Sequence, residues 1–415
     1  MLERRVNNIE ILNFIILFDL FFCGSGRLIM FGSISMRMVL FALAVTYTIG
    51  NAIVNGESFE AKSMLAIAFF LTYLVFNVIC VGDKSLGIKF DFFSRYAYVA
   101  MVFFYETYFS RDNTDELIAK MRSMIEVMTL AFAIFSIVLW IYALSLGQHA
   151  YDAIEMNFLR PKVYGNFDFI GGRIPRIFLK GSIFVPIGLL FEADHFLKFP
   201  TVRSTIKCGI YVIALATTFT TGLFFATAVC GIILLLHERA FLKKIGLLMG
   251  IIIAAMIPLT VKAGLINVMA LRYHGDYSTS YRTIQLISSI NEFLKKPLFG
   301  HGFGYEFTTI YGNTVRTTSG FEIAWGETLV DCGIIGFLGF VFIILLVFYR
   351  LLTHSDKDNT LYIFALSLLL ICLESLTNPF INNSIGLTFF AICAGIGNSV
   401  VKKEPSTMQS CWSIE

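Results

Sequence analysis

The residues best placed to do chemistry lie between Ala263 and Gly336. A polar, basic stretch there holds Arg272, Arg282, Lys295, Lys296 and Arg316. It also contains the run Pro297-Leu298-Phe299-Gly300-His301-Gly302-Phe303-Gly304. Cations gathered in one loop suit an anion, and the arginine fork matches phosphate oxygens in pairs. Arg282 falls on the first turn of a segment in which Ile284, Ile287, Ile290 and Leu294 recur at helical spacing. The positive end of that helix would add to its pull on an anion. Ser278 or Asp276 is the candidate N-cap, Lys295 and Lys296 suit the C-terminal end, and Pro297 stops the helix. A helix of roughly 15 residues is too short and too polar to cross a bilayer, so it is expected to lie on the membrane surface or to cap a cavity. Glu322 stands closest to the cations and is a candidate general base. Glu327 and Asp331, one helical turn apart, share a face further in. The plainer role for each glutamate is an ion pair with a loop arginine. His301 is either a base or a loop histidine. Gly300, Gly302 and Gly304 let the backbone approach a ligand or another helix closely. They follow no strand, so a dinucleotide fingerprint is excluded.

A second basic stretch carries Arg160, Lys162, Arg173 and Arg176, with Asp168 and the pair Gly171-Gly172. Two such stretches on one side of a membrane would clamp an anion between them, or hold anionic head groups. Other chemistry is missing: there is no GxxxxGK[ST] loop, no HExxH, no GxSxG and no DxD-type pair. Direct use of ATP or a nucleotide sugar is therefore not expected, nor is a bound metal or other cofactor, nor a nucleic-acid partner. The eight cysteines fall mostly in apolar stretches with no CxxC pair, which argues against a disulfide framework or a zinc site.

The elements that position these residues are helices in a membrane. The chain has 415 residues, 57% hydrophobic and 15% charged, with mean hydropathy +0.75. Soluble domains carry about 25% charged residues. The hydropathy pattern predicts an all-α polytopic integral membrane protein with about twelve spans of ~20 residues each. They cover 11–31, 36–54, 63–82, 92–109, 124–147, 174–195, 205–220, 222–237, 241–260, 324–349, 360–377 and 384–401. The fourth is weak because Arg95 and Glu106 lie within it. The expected divisions are N-terminal helices over 1–147, a basic outer loop 148–173, central helices over 174–260, a catalytic outer loop 261–323, C-terminal helices over 324–401 and a tail 402–415. Lys and Arg in the short loops place both termini in the cytoplasm and the two long loops outside. No small-residue cleavage site follows Met1-Leu2-Glu3-Arg4-Arg5, so a removed signal peptide is not expected. Asp19, Arg95, Glu106, Glu192 and Glu374 are charges inside spans, and each is a functional candidate for that reason. No internal repeat of the kind transporters carry is visible.

The PLFGHGFG run and Leu329-Val330-Asp331-Cys332-Gly333-Ile334-Ile335-Gly336-Phe337-Leu338, with Glu322 between them, resemble the bacterial O-antigen polymerase and ligase superfamily. The likeness covers roughly 75 residues and rests on its PLFGxGxG and GIIGF elements. It implies a GT-C-like, metal-independent membrane glycosyltransferase at the outer face of the inner membrane. A glycan on undecaprenyl diphosphate is passed to a second lipid-linked unit and undecaprenyl diphosphate leaves. The bilayer and a chain-length regulator protein are the other partners implied. By resemblance Arg272 and Arg282 match the loop arginines that hold the diphosphate. Ligases place a His-Asn pair where this chain has Phe321-Glu322, which favours a polymerase and makes Glu322 the base. The family often has an Arg in a Ser-Arg-Gly turn between two middle spans. The corresponding Thr220-Thr221-Gly222 has none, and Arg173 or Arg176 would take its place.

Overall fold

The computed structural model describes residues 8–24, 26–32, 34–111, 113–170, 174–237, 277–311, 314–318, 320–355 and 359–403. Apolar runs fold into helices because a helix satisfies its own backbone polar groups where no water is available. Local caps set several of the ends. The chain begins with α1 (Asn8–Phe22) and a short hairpin of β1 (Met30–Phe31) and β2 (Ile34–Ser35). Ser35 then starts α2 (Met36–Asn55) by accepting from the Met38 amide. Glu60 caps α3 (Ala61–Cys80) through the Ser63 amide. Next come α4 (Leu86–Ala97), a tight turn at Tyr98–Ala100, α5 (Met101–Phe109) and the long α6 (Thr114–Leu146). A π-helix, Tyr151–Leu159, and the single turn α7 (Arg160–Lys162) lead into a hairpin of β3 (Gly165–Ile170) and β4 (Ile174–Leu179). Three helices follow: α8 (Phe184–Lys198), α9 (Val202–Thr218), started by a Thr201–Ser204 capping box, and α10 (Thr221–His237). The last part holds α11 (Tyr277–Lys295), a hairpin of β5 (Phe307–Tyr311) and β6 (Thr314–Thr318), then α12 (Ala324–Thr353), α13 (Asn359–Glu374) and α14 (Ser384–Lys403).

Helices occupy eleven of the expected spans, and the other, 241–260, lies outside the described residues. Among the described residues α2, α3, α6, α12 and α14 are long and apolar enough to cross a membrane. Others, such as α8 with 15 residues and α13 with 16, are shorter. The chain is thus a helical membrane protein, with a central core running from α1 to α14.

The helices run back and forth between two ends. At the basic end Lys120 meets Glu10, Arg350 meets Glu60, Lys402 meets Glu106, and Arg122 meets Asp194. The loop end holds the three hairpins and α11. The weak fourth span, built as α4 and α5, runs the whole way. Its Arg95 pairs with Glu327 near the loop end and its Glu106 with Lys402 at the other. The charges that weaken its hydropathy are thus both in ion pairs, with Glu106 buried and Arg95 partly exposed.

Three expectations are corrected. The fold is not all helix, because the three hairpins lie among the described residues. The sixth helix starts at Phe184, ten residues after position 174. The apolar run Ile174-Pro175-Arg176-Ile177-Phe178-Leu179 is a strand, and the side chains of Ile174, Ile177, Phe178 and Leu179 are buried at the bundle end. Strand and helix periods are hard to separate in so short an apolar run. The first helix likewise stops at Phe22, where Gly24 and Gly26 turn the chain with positive φ.

Candidate functional site

The two motif stretches are joined by an exchange of backbone hydrogen bonds. Gly333 adopts φ +62° and breaks α12. In an unbroken helix the Ile334 and Ile335 amides would bond the carbonyls of Val330 and Asp331. Instead Ile334 donates to Pro297 and Ile335 to Leu298, while His301 and Gly302 donate to Val330 and Asp331. The loop has taken the place of a helical turn. A Cβ at Gly300 would lie 2.5 Å from the Asp331 carbonyl oxygen, and one at Gly302 would lie 2.6 Å from that of Val81. The close approach these glycines permit is to α12 and the end of α3. Gly304, with φ +76°, packs on Ile88.

His301 is bound up in the same junction. Its ring stacks on Tyr305 at 3.9 Å between centroids, and Nε2 lies 2.9 Å from the Glu292 carbonyl oxygen. The Glu292 carboxylate accepts from Lys295 and from the Tyr305 hydroxyl. Burial pushes Glu292 up, but those two hydrogen bonds outweigh it and hold its carboxyl below the ordinary range. Burial and the same contact push the Tyr305 phenol up to about 12.

Arg282 stands ten residues before Glu292 on α11, about 15 Å along the axis at 1.5 Å per residue. The two ends of the helix therefore serve different places. Arg282 Nε donates to Glu322 Oε2 at 2.9 Å. The Glu322 amide donates to Gln285 Oε1, and the Gln285 side chain is buried. Two residues on, the Ala324 amide donates to the Ser375 carbonyl, and Trp325 Nε1 donates to that of Cys372. The start of α12 thus lies against the end of α13. Glu374, the last residue of α13, is fully buried. Its Oε1 accepts from Asn378 Nδ2, and its Oε2 has no hydrogen-bond partner among the described residues.

The turn between α9 and α10 closes the other side. Phe219 has φ +44°, and α10 enters with Gly222 against Glu374 and Thr377. Arg176 reaches this turn from β4, its Nε donating to the Thr218 carbonyl. The structure thus brings Arg176 from the first basic stretch to the Thr220-Thr221-Gly222 turn that has no arginine of its own. The pairing of Arg176 with Asp168 across β3 and β4 gives its strand register.

The other candidates are placed as follows. Arg160 lies on the exposed α7 turn against the Met156 sulfur, away from these contacts. Arg316 is on β6 opposite Thr309, with its side chain outside the described residues. Arg272 and Arg173 also lie outside the described residues, as does the candidate N-cap Asp276. Glu327 pairs with Arg95 and accepts from Asn382 Nδ2 at 2.6 Å. Asp331 is sealed beneath the loop, with neither carboxylate oxygen partnered among the described residues. Among the described residues no group of three or more His, Cys, Asp or Glu side chains is placed to hold a metal ion. Sequence reasoning missed Gln285 and Asn378. Their polar side chains sit on helix faces or turns where pattern alone gives no signal.

α11 faces outward with three of the four residues that made its apolar periodicity, and with Leu286 beside them. Leu286, Ile287, Ile290 and Leu294 are exposed, while polar Gln285 and Ser289 are buried against the protein. An apolar strip turned away from the protein fits a helix lying in the membrane interface.

Comparison with known proteins agrees with this picture. Residues 208–341 match the family model described as O-antigen ligase, a segment running from α9 through the kink of α12. This match is consistent with the O-antigen polymerase and ligase superfamily. No curated protein matches the chain.

Proposed function

We propose that this protein is the polymerase that joins undecaprenyl-diphosphate-linked oligosaccharide units into O-antigen, capsule or exopolysaccharide. The work is done at the outer face of the inner membrane, with both chain termini in the cytoplasm. The observation that carries this reading is the convergence of Arg282, Glu322, Arg176 and Glu374 at the loop end, beside an interfacial helix. A lipid-linked diphosphate presents its charge at that depth, where a guanidinium is suited to bind it.

In this reading an acceptor hydroxyl attacks the anomeric carbon of the donor sugar. The bond from that carbon to the diphosphate oxygen breaks, and a carboxylate takes the hydroxyl proton. The leaving undecaprenyl diphosphate carries its charge onto Arg282 and Arg176. Arg272, Arg173 and Arg316 are proposed as further contacts. The step needs no nucleotide, and neither a cofactor nor a metal is proposed for it. Glu322 holds Arg282 in place in the free enzyme, and an arriving diphosphate competes for the same guanidinium. Gly300, Gly302, Gly304 and His301 serve by fixing the loop to α12, the end of α3 and α4. A glutamate at position 322, where ligases carry histidine, supports polymerase over ligase.

The test is a gel of surface glycan from cells lacking the gene and from complemented cells. A polymerase gives long ladders that collapse to one unit on core and return with the gene. Bare core with accumulated lipid-linked polymer would identify a ligase. Single lipid-linked units held on the cytoplasmic face would identify a transporter.

A further inference from the structure

Of the five span charges that the sequence singles out, four have opposite charges as partners. Asp19 pairs with Arg37, Arg95 with Glu327, Glu106 with Lys402 and Glu192 with Lys207. Glu374 has none among the described residues. It is fully buried, its Oε1 is held by the Asn378 amide at 2.5 Å, and its Oε2 is left without a partner. An unpaired carboxyl oxygen in such a place costs stability, so its retention needs an explanation.

Its surroundings supply one. A Cβ built on Gly222 would lie 2.9 Å from Glu374 Oε2 and would also land on the Thr377 hydroxyl. Glycine there lets the α10 backbone pack closely on the carboxyl oxygen and on Thr377. Glu374 interacts electrostatically with Arg282. It also neighbours Ser375, whose carbonyl anchors the start of α12 two residues beyond Glu322. The turn that follows reaches the surface at Leu376, which is 48% exposed. Among the described residues Asp19 and Asp331 also carry unpartnered buried carboxylate oxygens, but Asp19 is paired with Arg37, and Asp331 is shut in by the motif loop and by Asn77 at its own carbonyl.

We propose that Glu374 is a catalytic residue, the general base that takes the proton from the acceptor hydroxyl. Glu322 is then the positioning residue that holds Arg282. This rests on the polymerase reading above. As the acceptor oxygen bonds to the anomeric carbon and the bond to the diphosphate breaks, the proton passes to Glu374 Oε2. The electron pair leaves with undecaprenyl diphosphate. The two carboxylates near one arginine divide the work: the half-exposed, paired one manages charge, and the buried, unpaired one manages the proton.

The experiment uses the full chain in proteoliposomes with an undecaprenyl-diphosphate-linked repeat unit. Binding of that lipid and formation of polymer are measured separately. Glu374→Gln is expected to lower the polymerisation rate by about 100-fold or more, the scale of a lost general base, with binding within twofold of the parent. Glu374→Ala is expected to regain part of its rate when formate is added, because a small carboxylate replaces the missing base. A purely structural glutamate gives no such rescue. A Glu374→Gln protein that polymerises within a fewfold of the parent overturns the proposal, as does a loss of binding in step with rate or the absence of formate rescue. If the parent itself forms no polymer, the polymerase reading fails and takes this assignment with it.

Discussion

The two ends of α11 carry the same kinds of residue and differ in how far those residues are satisfied. At the C-terminal end Glu292, Lys295, His301 and Tyr305 hold one another, with the His301 ring stacked and the Glu292 carboxylate accepting two hydrogen bonds. At the N-terminal end Arg282 makes one charged hydrogen bond to a half-exposed Glu322, and Glu374 nearby keeps an unpartnered oxygen. A saturated cluster is a joint. An unsaturated one has capacity left for a ligand. Residue type alone would rank His301 above Glu374, whereas the hydrogen bonds reverse that order.

The sharpest way to break the contrast is at the open end. Arg282→Ala is expected to reduce polymer by about 100- to 1,000-fold, the cost of losing a charge-stabilising donor, with inserted protein at the parent level. Normal long-chain glycan in that variant would remove Arg282 from the site. Gly302→Ala attacks the closed end instead. Its φ of +89° and the approach to Val81 leave no room for a methyl group, so inserted protein should be largely lost on a blot of membranes. Abundant, active Gly302→Ala protein would show that the loop has another way to sit.

Smaller changes sharpen the comparison. Glu322→Gln keeps the shape and removes the charge that holds Arg282. A slowing of about tenfold is expected, with tighter rather than weaker binding of the diphosphate, since Arg282 is released; an unchanged ladder would make Glu322 only structural. His301→Ala should retain polymer formation while losing about 1–2 kcal/mol of stability, the scale of a buried hydrogen bond plus a ring stack. A rate loss larger than the stability loss would return His301 to the catalytic list. The mildest effect concerns acid. The Glu292 carboxyl is held below its ordinary range, so its contribution is present above that range and fades as pH falls through the lowered value. Melting of the parent should therefore drop more steeply in acid than melting of Glu292→Gln. Parallel curves would contradict this.

Much of this was legible beforehand for stated physical reasons. Long apolar stretches can only be helices in lipid, so the spans could be placed, and the α11 periodicity with Pro297 behind it gave that helix. Arg282 and Glu322 were singled out by type and position, and the structure joins them. Other parts depend on contacts between distant stretches. Nothing local says that Gly333 breaks α12 so that Pro297 and Leu298 can replace a turn. Nothing local says that Arg176 meets the Thr218 carbonyl. The strand at Ile174–Leu179 was hidden because its inward residues are as apolar as a helix end.

The outward strip of Leu286, Ile287, Ile290 and Leu294 has a consequence for kinetics. If α11 rides in the interface, Arg282 waits in the plane where lipid-linked diphosphates already travel. Both substrates of the proposed polymerase then arrive by lateral diffusion, and turnover should follow their number per unit area of membrane rather than per unit volume. Diluting the proteoliposomes in buffer would leave the rate per vesicle unchanged. Diluting the substrate with carrier lipid at constant volume would lower it.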